Sequence, residues 1–232
     1  MIPWLGPQDP FPALRHALRE PNGLLAAGAD LSPERLIAAY ARGIFPWYSE
    51  GEPILWWNPD PRMVLFPAEL KVSRSLGKTL CKQRYEIRTD SQFLAVMQGC
   101  AAPRDQHGGT WISHAMIEAY CRLHEQGFAH SVETWVDGEL AGGLYGIALG
   151  RMFYGESMFS RRNDASKIAF VHLAKQLQRW GFAMIDCQMK TAHLASFGAR
   201  EISRDEFSQR LTNLATQPGV NGPWTFDHDL IE

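Results

Sequence analysis

The sequence has few of the features that mark secreted, membrane or metal-binding proteins. Its four cysteines, Cys81, Cys100, Cys121 and Cys187, are scattered and contain no CxxC motif. This spacing argues against a metal cluster or a disulfide framework and is typical of a protein of the reducing cytoplasm. No run of about 18 apolar residues is present, so no membrane span is predicted. The N-terminus lacks a basic start followed by an apolar run, so no secretory signal is predicted either.

An excess of charge of one sign is also missing. The 23 basic and 25 acidic residues give a net charge of −2, and 45% of the residues are hydrophobic. These values are those of an ordinary globular protein. Because the chain has no global basic field, any binding of nucleic acid must use a local basic patch.

Tryptophan and proline are concentrated in the stretch GIFPWYSEGEPILWWNPDPR, residues 43–62. It contains Trp47, Trp56 and Trp57 together with four prolines, which rule out a long helix or a central strand. Large aromatic rings on a loop need a cover, either the protein's own core or a ligand with a flat face. A nucleic-acid base stacked on Trp47, with Trp111 as a companion, would contribute about 1–3 kcal/mol. Adjacent residues of an extended segment point opposite ways, so at least one of Trp56 and Trp57 is expected to pack inside.

Two segments of different texture are predicted. Residues 1–62 are rich in proline and glycine and contain one clear helix, which begins after Ser32 and ends before Gly43. Residues 63–232 read as a strand, a helix, a strand and two helices, followed by a hairpin around the Asp137–Gly138 turn and a third strand. A long helix capped by Asn163 or Asp164, a strand, a short helix and a last helix near residues 205–213 complete the order.

This order predicts an α+β fold with a small N-terminal domain over residues 1–62 and a larger domain over residues 63–232. A three-stranded meander that leads into a long helix and a further strand is the order of GNAT-type acyltransferases. The larger domain is therefore expected to be GNAT-like, with a mixed β-sheet flanked by helices. A fold-level similarity of this kind says little about function.

One basic stripe and one polar group are the candidates for chemistry. Four basic residues at helical spacing form the stripe, which suits either phosphates or a solvated surface: Lys71, Arg74, Lys78 and Lys82. Glu156 lies between apolar residues and could recognise a cation, although the spacing alone slightly favours a solvated, turn-facing glutamate. Asp186 and Gln188 lie two apart on a predicted strand and face the same side; a capping aspartate and a surface glutamine are the alternative. His193 stands alone, and a structural role is expected for it.

Acetyl-CoA enzymes with a GNAT fold bind the pyrophosphate on a glycine-rich turn before the long helix. The corresponding stretch here runs from Ser160 to Ala165 and contains no glycine. Binding of CoA is therefore not expected.

Longer strings of the sequence resemble one known family. The strings LREPNGLLAAGADLSPERLIAAYARGIFPWYSEGEPILWWNPDPRMVLFP, GGTWIS, LAGGLYGIALGRMFYGESMFSRRNDASK and MIDCQMKTAHLASFGA occur in the order found in bacterial leucyl/phenylalanyl-tRNA–protein transferases. The resemblance covers residues 18–207. It implies a cytoplasmic, monomeric aminoacyltransferase that needs no metal, CoA or other cofactor. Such an enzyme moves Leu, Phe and, less well, Met from aminoacyl-tRNA to the N-terminal Arg or Lys of acceptor proteins, and so marks them for N-end rule degradation.

The resemblance also assigns roles to single residues. It implies that Trp47 and Trp111 hold the terminal adenosine, while Trp56 and Trp57 serve packing. The apolar pocket for the transferred side chain would be formed by Leu144, Phe153, Met158, Leu173 and Ile185. Glu156, Asp186 and Gln188 would form the polar group at the reacting centre, and the basic stripe would follow the phosphates of tRNA. The sequence departs from the family at Leu144 and Leu173, where other members carry Met or Phe, and at Thr191, where they carry Asn.

The mechanism expected from these residues is aminolysis of an ester. The α-amine of the acceptor has a pKa of about 7.7–8, so Asp186 would need only to orient it and accept or pass on a proton, with Gln188 holding it in place. Two alternatives stay open at the sequence level. One is a CoA-dependent N-acyltransferase, which the missing glycine turn disfavours. The other is a non-catalytic protein that binds RNA ends.

Overall fold

A computed structural model of the chain describes residues 2–82, 84–103, 111–220 and 222–231. Within these ranges, eleven strands form two sheets, and seven α-helices surround them. The strands are β1 Trp4–Leu5, β2 Leu24–Gly28, β3 Phe45–Pro46, β4 Leu55–Trp57, β5 Arg62–Leu65, β6 Glu86–Thr89, β7 Ala129–Val136, β8 Glu139–Leu149, β9 Met152–Ser160, β10 Met184–Asp186 and β11 Arg200–Ile202. The helices are α1 Pro33–Tyr40, α2 Arg74–Cys81, α3 Phe93–Ala101, α4 His114–Glu125, α5 Ala165–Arg179, α6 Ala192–Ser196 and α7 Arg204–Leu214.

The N-terminal segment forms a four-stranded sheet in the order β1-β2-β4-β3. Proline lacks the N–H that a central strand must donate, and Pro46 accordingly lies on the edge strand β3. The predicted helix α1 is confirmed: the Ser32 hydroxyl accepts the backbone N–H of Arg35, and Pro33 occupies the first turn. The chain leaves the helix through Gly43, whose φ of +70° lies in the left-handed region that glycine adopts freely.

The second sheet has seven strands in the order β11-β5-β10-β9-β8-β7-β6. Strands β7, β8 and β9 form the predicted antiparallel meander, and Asp137 and Gly138 turn between the first two with positive φ angles. Helix α5 then returns the chain so that β10 pairs parallel to β9. The predicted α+β fold and its meander–helix–strand order are therefore confirmed. Strand β11, which pairs with β5 at one edge of the sheet, was not predicted because its three residues carry no alternating pattern.

The two faces of the large sheet are covered by different layers. Helices α2 and α5, together with Trp224 near the C-terminus, pack on one face and bury the apolar core that includes Leu144, Phe153 and Ile185. Helices α3 and α4 pack on the other face, and the small sheet joins the same core there. The division of the chain after residue 62 stays a prediction; Arg62 itself is the first residue of β5 in the large sheet. None of the helices in the described ranges has the length and apolar character needed to cross a membrane.

The beginning of α5 differs from the sequence prediction. Asp164 stands at the N-cap position with a φ of +62°, but its side chain makes no capping hydrogen bond and instead accepts from Lys167 at 2.7 Å. The hydroxyl of Ser160, at the end of β9, accepts the Ser166 N–H at 2.9 Å in its place. A backbone N–H in the first turn of this helix is therefore bound by a hydroxyl of the preceding strand, β9.

Candidate active site

A cavity of about 760 Å³ opens where β9 and β10 separate. The two strands stay paired as far as Asp186 and Tyr154, after which β10 ends while β9 continues to Ser160. The cavity is lined by residues of the apolar cores on both faces of the large sheet. It therefore lies at the point where the two strands separate. Its volume is within the usual range of small-molecule sites.

Glu156 reaches this cavity because β9 contains a bulge. Tyr145 on β8 pairs with Ser157, while the next residue, Gly146, pairs with Gly155, so Glu156 is the extra residue. Bulges of this kind re-aim a side chain and are common beside active sites. Here the bulge directs Glu156 toward helices α1 and α4, in the middle of a strand. The solvated position that the sequence left open for Glu156 is therefore wrong.

Two buried tyrosines hold the Glu156 carboxylate. The hydroxyl of Tyr40, the last residue of α1, donates to Oε1 at 2.8 Å, and the hydroxyl of Tyr120 in α4 donates to Oε2 at 3.2 Å. The two hydroxyls also contact each other, so three oxygen groups form a closed ring with three contacts. Two hydroxyl protons serve only two of these contacts, whereas a protonated Glu156 would supply the third proton.

This environment favours the neutral form of Glu156. Burial raises the pKa of its carboxyl from 4.5 to about 7, and the charge of Asp186 adds to the rise. The hydrogen bonds from Tyr40 and Tyr120 and the charge of Arg62 oppose it. Burial also raises the pKa of both tyrosines well above 10, so their hydroxyls keep their protons at neutral pH. A carboxyl that titrates near pH 7 can accept or donate a proton under physiological conditions.

The five apolar residues predicted for the transferred side chain all line the cavity. They are Leu144, Phe153, Met158, Leu173 and Ile185, and Phe170 and Cys187 join them. Phe153 and Met158 lie five apart and would face opposite sides of a regular strand. The bulge at Glu156 shifts the alternation by one residue, so both contribute to the core beneath α5.

Asp186 and Gln188 line the same cavity, but Asp186 is engaged by an arginine that the sequence analysis did not identify. Arg62 donates to Oδ1 of Asp186 at 2.7 Å and to Oδ2 at 2.6 Å, and both side chains are fully buried. The backbone N–H of Gln188 donates to the same carboxylate at 2.9 Å, and the Gln188 side-chain amide lies 3.4 Å from it. Asp186 was expected to orient the substrate amine directly, whereas its oxygens face protein donors.

A second cavity of about 910 Å³ adjoins the first and is lined by aromatic rings. Trp47, Trp57 and Trp111 contribute to its wall, and Trp111 and Pro103 also line the first cavity. Trp47 is 38% exposed and leans edge-on against Trp57, with ring centroids 5.5 Å apart. The structure therefore brings Trp47 and Trp111 to one cavity. The residues Gly108, Gly109 and Thr110 of the GGTWIS string lie outside the described residues.

Trp56 has the packing role that was expected. It is fully buried, its ring packs edge-on against Phe11 with centroids 4.9 Å apart, and its indole N–H donates to the Gly28 carbonyl at 2.9 Å. Trp57 points the other way, as predicted for adjacent residues of a strand, and its indole N–H donates to the Trp47 carbonyl at 2.6 Å. Trp57 thus contacts Trp47 through both this hydrogen bond and its ring.

The basic stripe lies away from both cavities. All four of its residues are exposed, and none forms an ion pair with a carboxylate in the described part of the chain. The predicted continuous helical stripe needs one correction: α2 begins at Arg74, so Lys71 precedes the helix and Lys82 is its C-cap. The amide N–H of Lys71 donates to the Phe197 carbonyl at 2.8 Å, which fixes its backbone beside α6.

Two further residues at the rim of the first cavity have structural contacts. The Thr191 hydroxyl accepts the Leu194 N–H at 3.2 Å and caps α6. His193 lies in the same helix edge-on to Phe197, and burial and the nearby Lys167 lower the pKa of its ring. No three His, Cys, Asp or Glu side chains in the described ranges are grouped in a way that could hold a metal ion.

Sequence reasoning missed Arg62, Tyr40 and Tyr120. A signal existed for Arg62: it begins a buried strand, and a charge in that position needs a partner of opposite sign. Asp186, at the end of another buried strand, was the available partner. Tyr40 and Tyr120 gave no signal, because each occupies the apolar face of a helix far from Glu156 along the chain.

Comparisons with known proteins identify the family of the chain. Profiles of two families match the chain: the leucyl/phenylalanyl-tRNA protein transferase family over residues 64–212, and the N-terminal domain of the same transferases over residues 29–60. The chain is 68% identical to the leucyl/phenylalanyl-tRNA–protein transferase of Nitrosospira multiformis over 100% of both chains. It is also 68% identical to that of Nitrosomonas europaea over 98% of this chain and 96% of the relative.

Similarity to solved structures is much lower. L-PGS from Bacillus licheniformis has a TM-score of 0.41 and 10% identity, covering 72% of this chain and 54% of the other; a likeness at this level has no bearing on function. The two family profiles together cover most of the chain and both cavities. The chain therefore belongs to the leucyl/phenylalanyl-tRNA–protein transferase family of aminoacyltransferases.

Proposed function

We propose that this protein transfers Leu, Phe and, less well, Met from aminoacyl-tRNA to the N-terminal Arg or Lys of an acceptor protein. The observation that carries the proposal is the junction of the two cavities at Trp111. An apolar cavity whose wall also contains polar side chains suits an amino acid ester, and an adjoining aromatic cavity suits the adenosine that bears the ester. The resemblance of the sequence and its 68% identity to named transferases support the same substrates.

The transferred side chain would pack against the apolar wall of the first cavity, which includes Leu144, Phe153 and Leu173. Such a wall accepts Leu and Phe and discriminates weakly among unbranched and γ-branched apolar chains, because one methylene contributes only about 1–3 kcal/mol. The terminal adenosine would stack between Trp47 and Trp111, and the exposed basic stripe on and beside α2 would contact tRNA phosphates.

The chemical step is aminolysis. The α-amine nitrogen of the acceptor attacks the ester carbonyl carbon, a C–N bond forms, and the bond between that carbon and the ribose oxygen breaks. One proton leaves the amine and one is needed by the departing ribose oxygen, so a single group can take the first and return it. Glu156, with a pKa of about 7, is matched to an amine with a pKa of about 7.7–8. Holding the amine near the carbonyl supplies the larger part of the rate.

In this mechanism Glu156 replaces Asp186 as the group that handles the proton. Within the described residues, Glu156 accepts only from two neutral hydroxyls, and the pKa of its carboxyl is raised to about 7. Asp186 is buried in a two-point ion pair with the Arg62 guanidinium, so we assign it to holding Gln188. The Gln188 amide would in turn orient the incoming amine. The proposed aminolysis and its proton transfer use no metal, CoA or other cofactor.

The proposed biological role is the marking of acceptor proteins for N-end rule degradation. We propose a cytoplasmic monomer that meets two partners, an aminoacyl-tRNA and a protein with an N-terminal Arg or Lys. Its four scattered cysteines are consistent with a reducing compartment.

A single assay tests the proposal. The purified protein is incubated with tRNA carrying labelled Phe and with a peptide that begins with Arg, beside an otherwise identical peptide that begins with Ala. Label on the Arg peptide alone is the expected result. Binding of Phe-tRNA without any label on peptide would refute the transferase proposal and favour a non-catalytic RNA-end-binding protein. Activity of the Gln188→Ala variant close to the wild-type level would refute the assignment of the polar group.

A further inference from the structure

Arg62 is a buried charged residue beside the proposed reacting centre. Neither the sequence nor the family resemblance assigned a role to it. Its guanidinium donates through Nε and Nη2 to both oxygens of Asp186, at 2.7 Å and 2.6 Å, and it is 1% exposed. A two-point contact between planar groups fixes orientation as well as distance. Such a buried arginine places the carboxylate in one geometry.

Two aromatic rings contact the guanidinium itself. Its central carbon lies 4.8 Å from the ring centroid of Phe45 in β3 and 4.6 Å from that of Phe207 in α7. Cation–π contacts of this kind are strongest where water is excluded, and both rings are buried. Arg62 therefore joins the small sheet, the large sheet and the last helix at one point behind the cavity.

The position of Asp186 is passed on to Gln188. Asp186 accepts the backbone N–H of Gln188 at 2.9 Å, and Gln188 has a φ of +53°, in the left-handed region that residues other than glycine seldom adopt. Backbone hydrogen bonds from Met63 to Gln188 and from Cys187 to Met63 keep this turn beside β5. The carboxylate thus stabilises a backbone conformation that Gln188 would not adopt by itself.

The same contact orients the Gln188 side chain. An ionised carboxylate only accepts hydrogen bonds, so the part of the Gln188 amide that faces Asp186, at 3.4 Å, is its NH₂ group. The amide oxygen is then directed away from Asp186, and Gln188 lines the cavity. An oxygen presented there can accept an N–H of an incoming amine.

We propose that Arg62 is a positioning residue for aminoacyl transfer, which holds Asp186 so that Gln188 presents its amide oxygen to the acceptor amine. The proposal rests on the proposed function, because it assumes that Gln188 acts in the transfer. Arg62 touches no substrate in this arrangement. Its effect reaches the reaction through Asp186 and Gln188 alone.

The test compares Arg62→Lys with a matched control. Lysine keeps the positive charge but has no two-point fork. Arg204→Lys is the control, because Arg204 also joins the N-terminal segment to α7, through the Asn58 carbonyl at 2.8 Å, without contacting Asp186. Both variants are checked for a cooperative thermal transition before kinetics are measured with Phe-tRNA and an Arg peptide.

We expect Arg62→Lys to lower kcat about 10- to 100-fold with KM for Phe-tRNA changed less than about 3-fold, because only the alignment of the reacting groups is altered. Arg204→Lys should retain the wild-type kcat. Adding Arg62→Lys to Gln188→Ala should cause no further loss, since the two residues act in series. A wild-type kcat in folded Arg62→Lys, an equal loss in Arg204→Lys, or an independent loss in the double variant would overturn the proposal.

A measurement without turnover separates this proposal from the proposed function. The side-chain amide signal of Gln188 in a ¹H–¹⁵N spectrum is assigned by its absence in Gln188→Ala. It should shift in Arg62→Lys and stay in place in Arg204→Lys, whereas an unmoved signal in Arg62→Lys would refute the positioning contact. Absence of transfer by the wild-type protein would refute the proposed function instead. Arg62→Gln, whose amide can still donate a hydrogen bond to the buried Asp186 carboxylate, replaces Arg62→Lys in both measurements if the lysine variant does not fold.

Discussion

The protonation of Glu156 gives the sharpest prediction, and the perturbation is Glu156→Gln. Glutamine has nearly the same shape but does not titrate. The folded protein raises the pKa of the Glu156 carboxyl from 4.5 to about 7, so the folded state favours the neutral acid. That contribution to stability is complete below about pH 4.5 and is lost as the pH rises through 7. The interval corresponds to about 3 kcal/mol of unfolding free energy, at about 1.4 kcal/mol per pKa unit.

Urea unfolding at a series of pH values from 4.5 to 8 measures this difference. Between pH 4.5 and 7.5 the wild-type protein should lose up to about 3 kcal/mol relative to the Gln variant. Glu125→Gln is the matched control, because Glu125 lies in α4 with Tyr120 but is exposed, and its curve should follow that of the wild type. Parallel curves for wild type and Glu156→Gln would refute the claim that burial of the Glu156 carboxyl favours the protonated acid.

The same variant tests the catalytic role of the carboxyl. If Glu156 must be ionised to take the proton of the amine, the wild-type kcat should fall as the pH drops below about 7. Glu156→Gln should transfer about 10²- to 10⁴-fold more slowly, and its acidic limb should move up to the pKa of the acceptor amine, about 7.7–8. A Gln variant that is slow but keeps the limb near pH 7 would show that another group in the site titrates there.

Three further predictions concern the cavities and the basic stripe. Trp56→Ala should cost about 3–5 kcal/mol of unfolding free energy because Trp56 is fully buried. Trp47→Ala should leave the thermal midpoint nearly unchanged and weaken aminoacyl-tRNA binding about 10- to 100-fold. The reverse pattern would contradict the assigned roles. Leu173→Ala, at a buried position of the cavity wall, should cost about 2–5 kcal/mol and move the ratio of kcat/KM in competition assays from Leu toward Phe; an unchanged ratio would place the acyl group elsewhere. Arg74→Gln should reduce the slope of log affinity for tRNA against log salt concentration by about 1, and an unchanged slope would remove Arg74 from the tRNA surface.

Local signals in the sequence were sufficient for most of the secondary structure. The Ser32–Pro33 start of α1, the Asp137–Gly138 turn and the long helix α5 each depend on neighbouring residues, and each was confirmed. The family resemblance added the apolar wall and the two tryptophans, which the structure brings to adjoining cavities. Strand β11 was missed, because it is a strand only by virtue of pairing with β5.

The sequence by itself determined which residues form the apolar wall of the site, the order of strands and helices in the protein, and the family of the protein. The tertiary structure decided how the polar groups are used. The bulge that turns Glu156 toward Tyr40 and Tyr120 depends on how β8 and β9 pair, and the engagement of Asp186 depends on Arg62, 124 residues away along the chain. Neither has a local signature, because pairing register and long-range ion pairs arise only when distant segments pack together. The same packing raises the pKa of Glu156, because burial of its carboxyl disfavours the charged form.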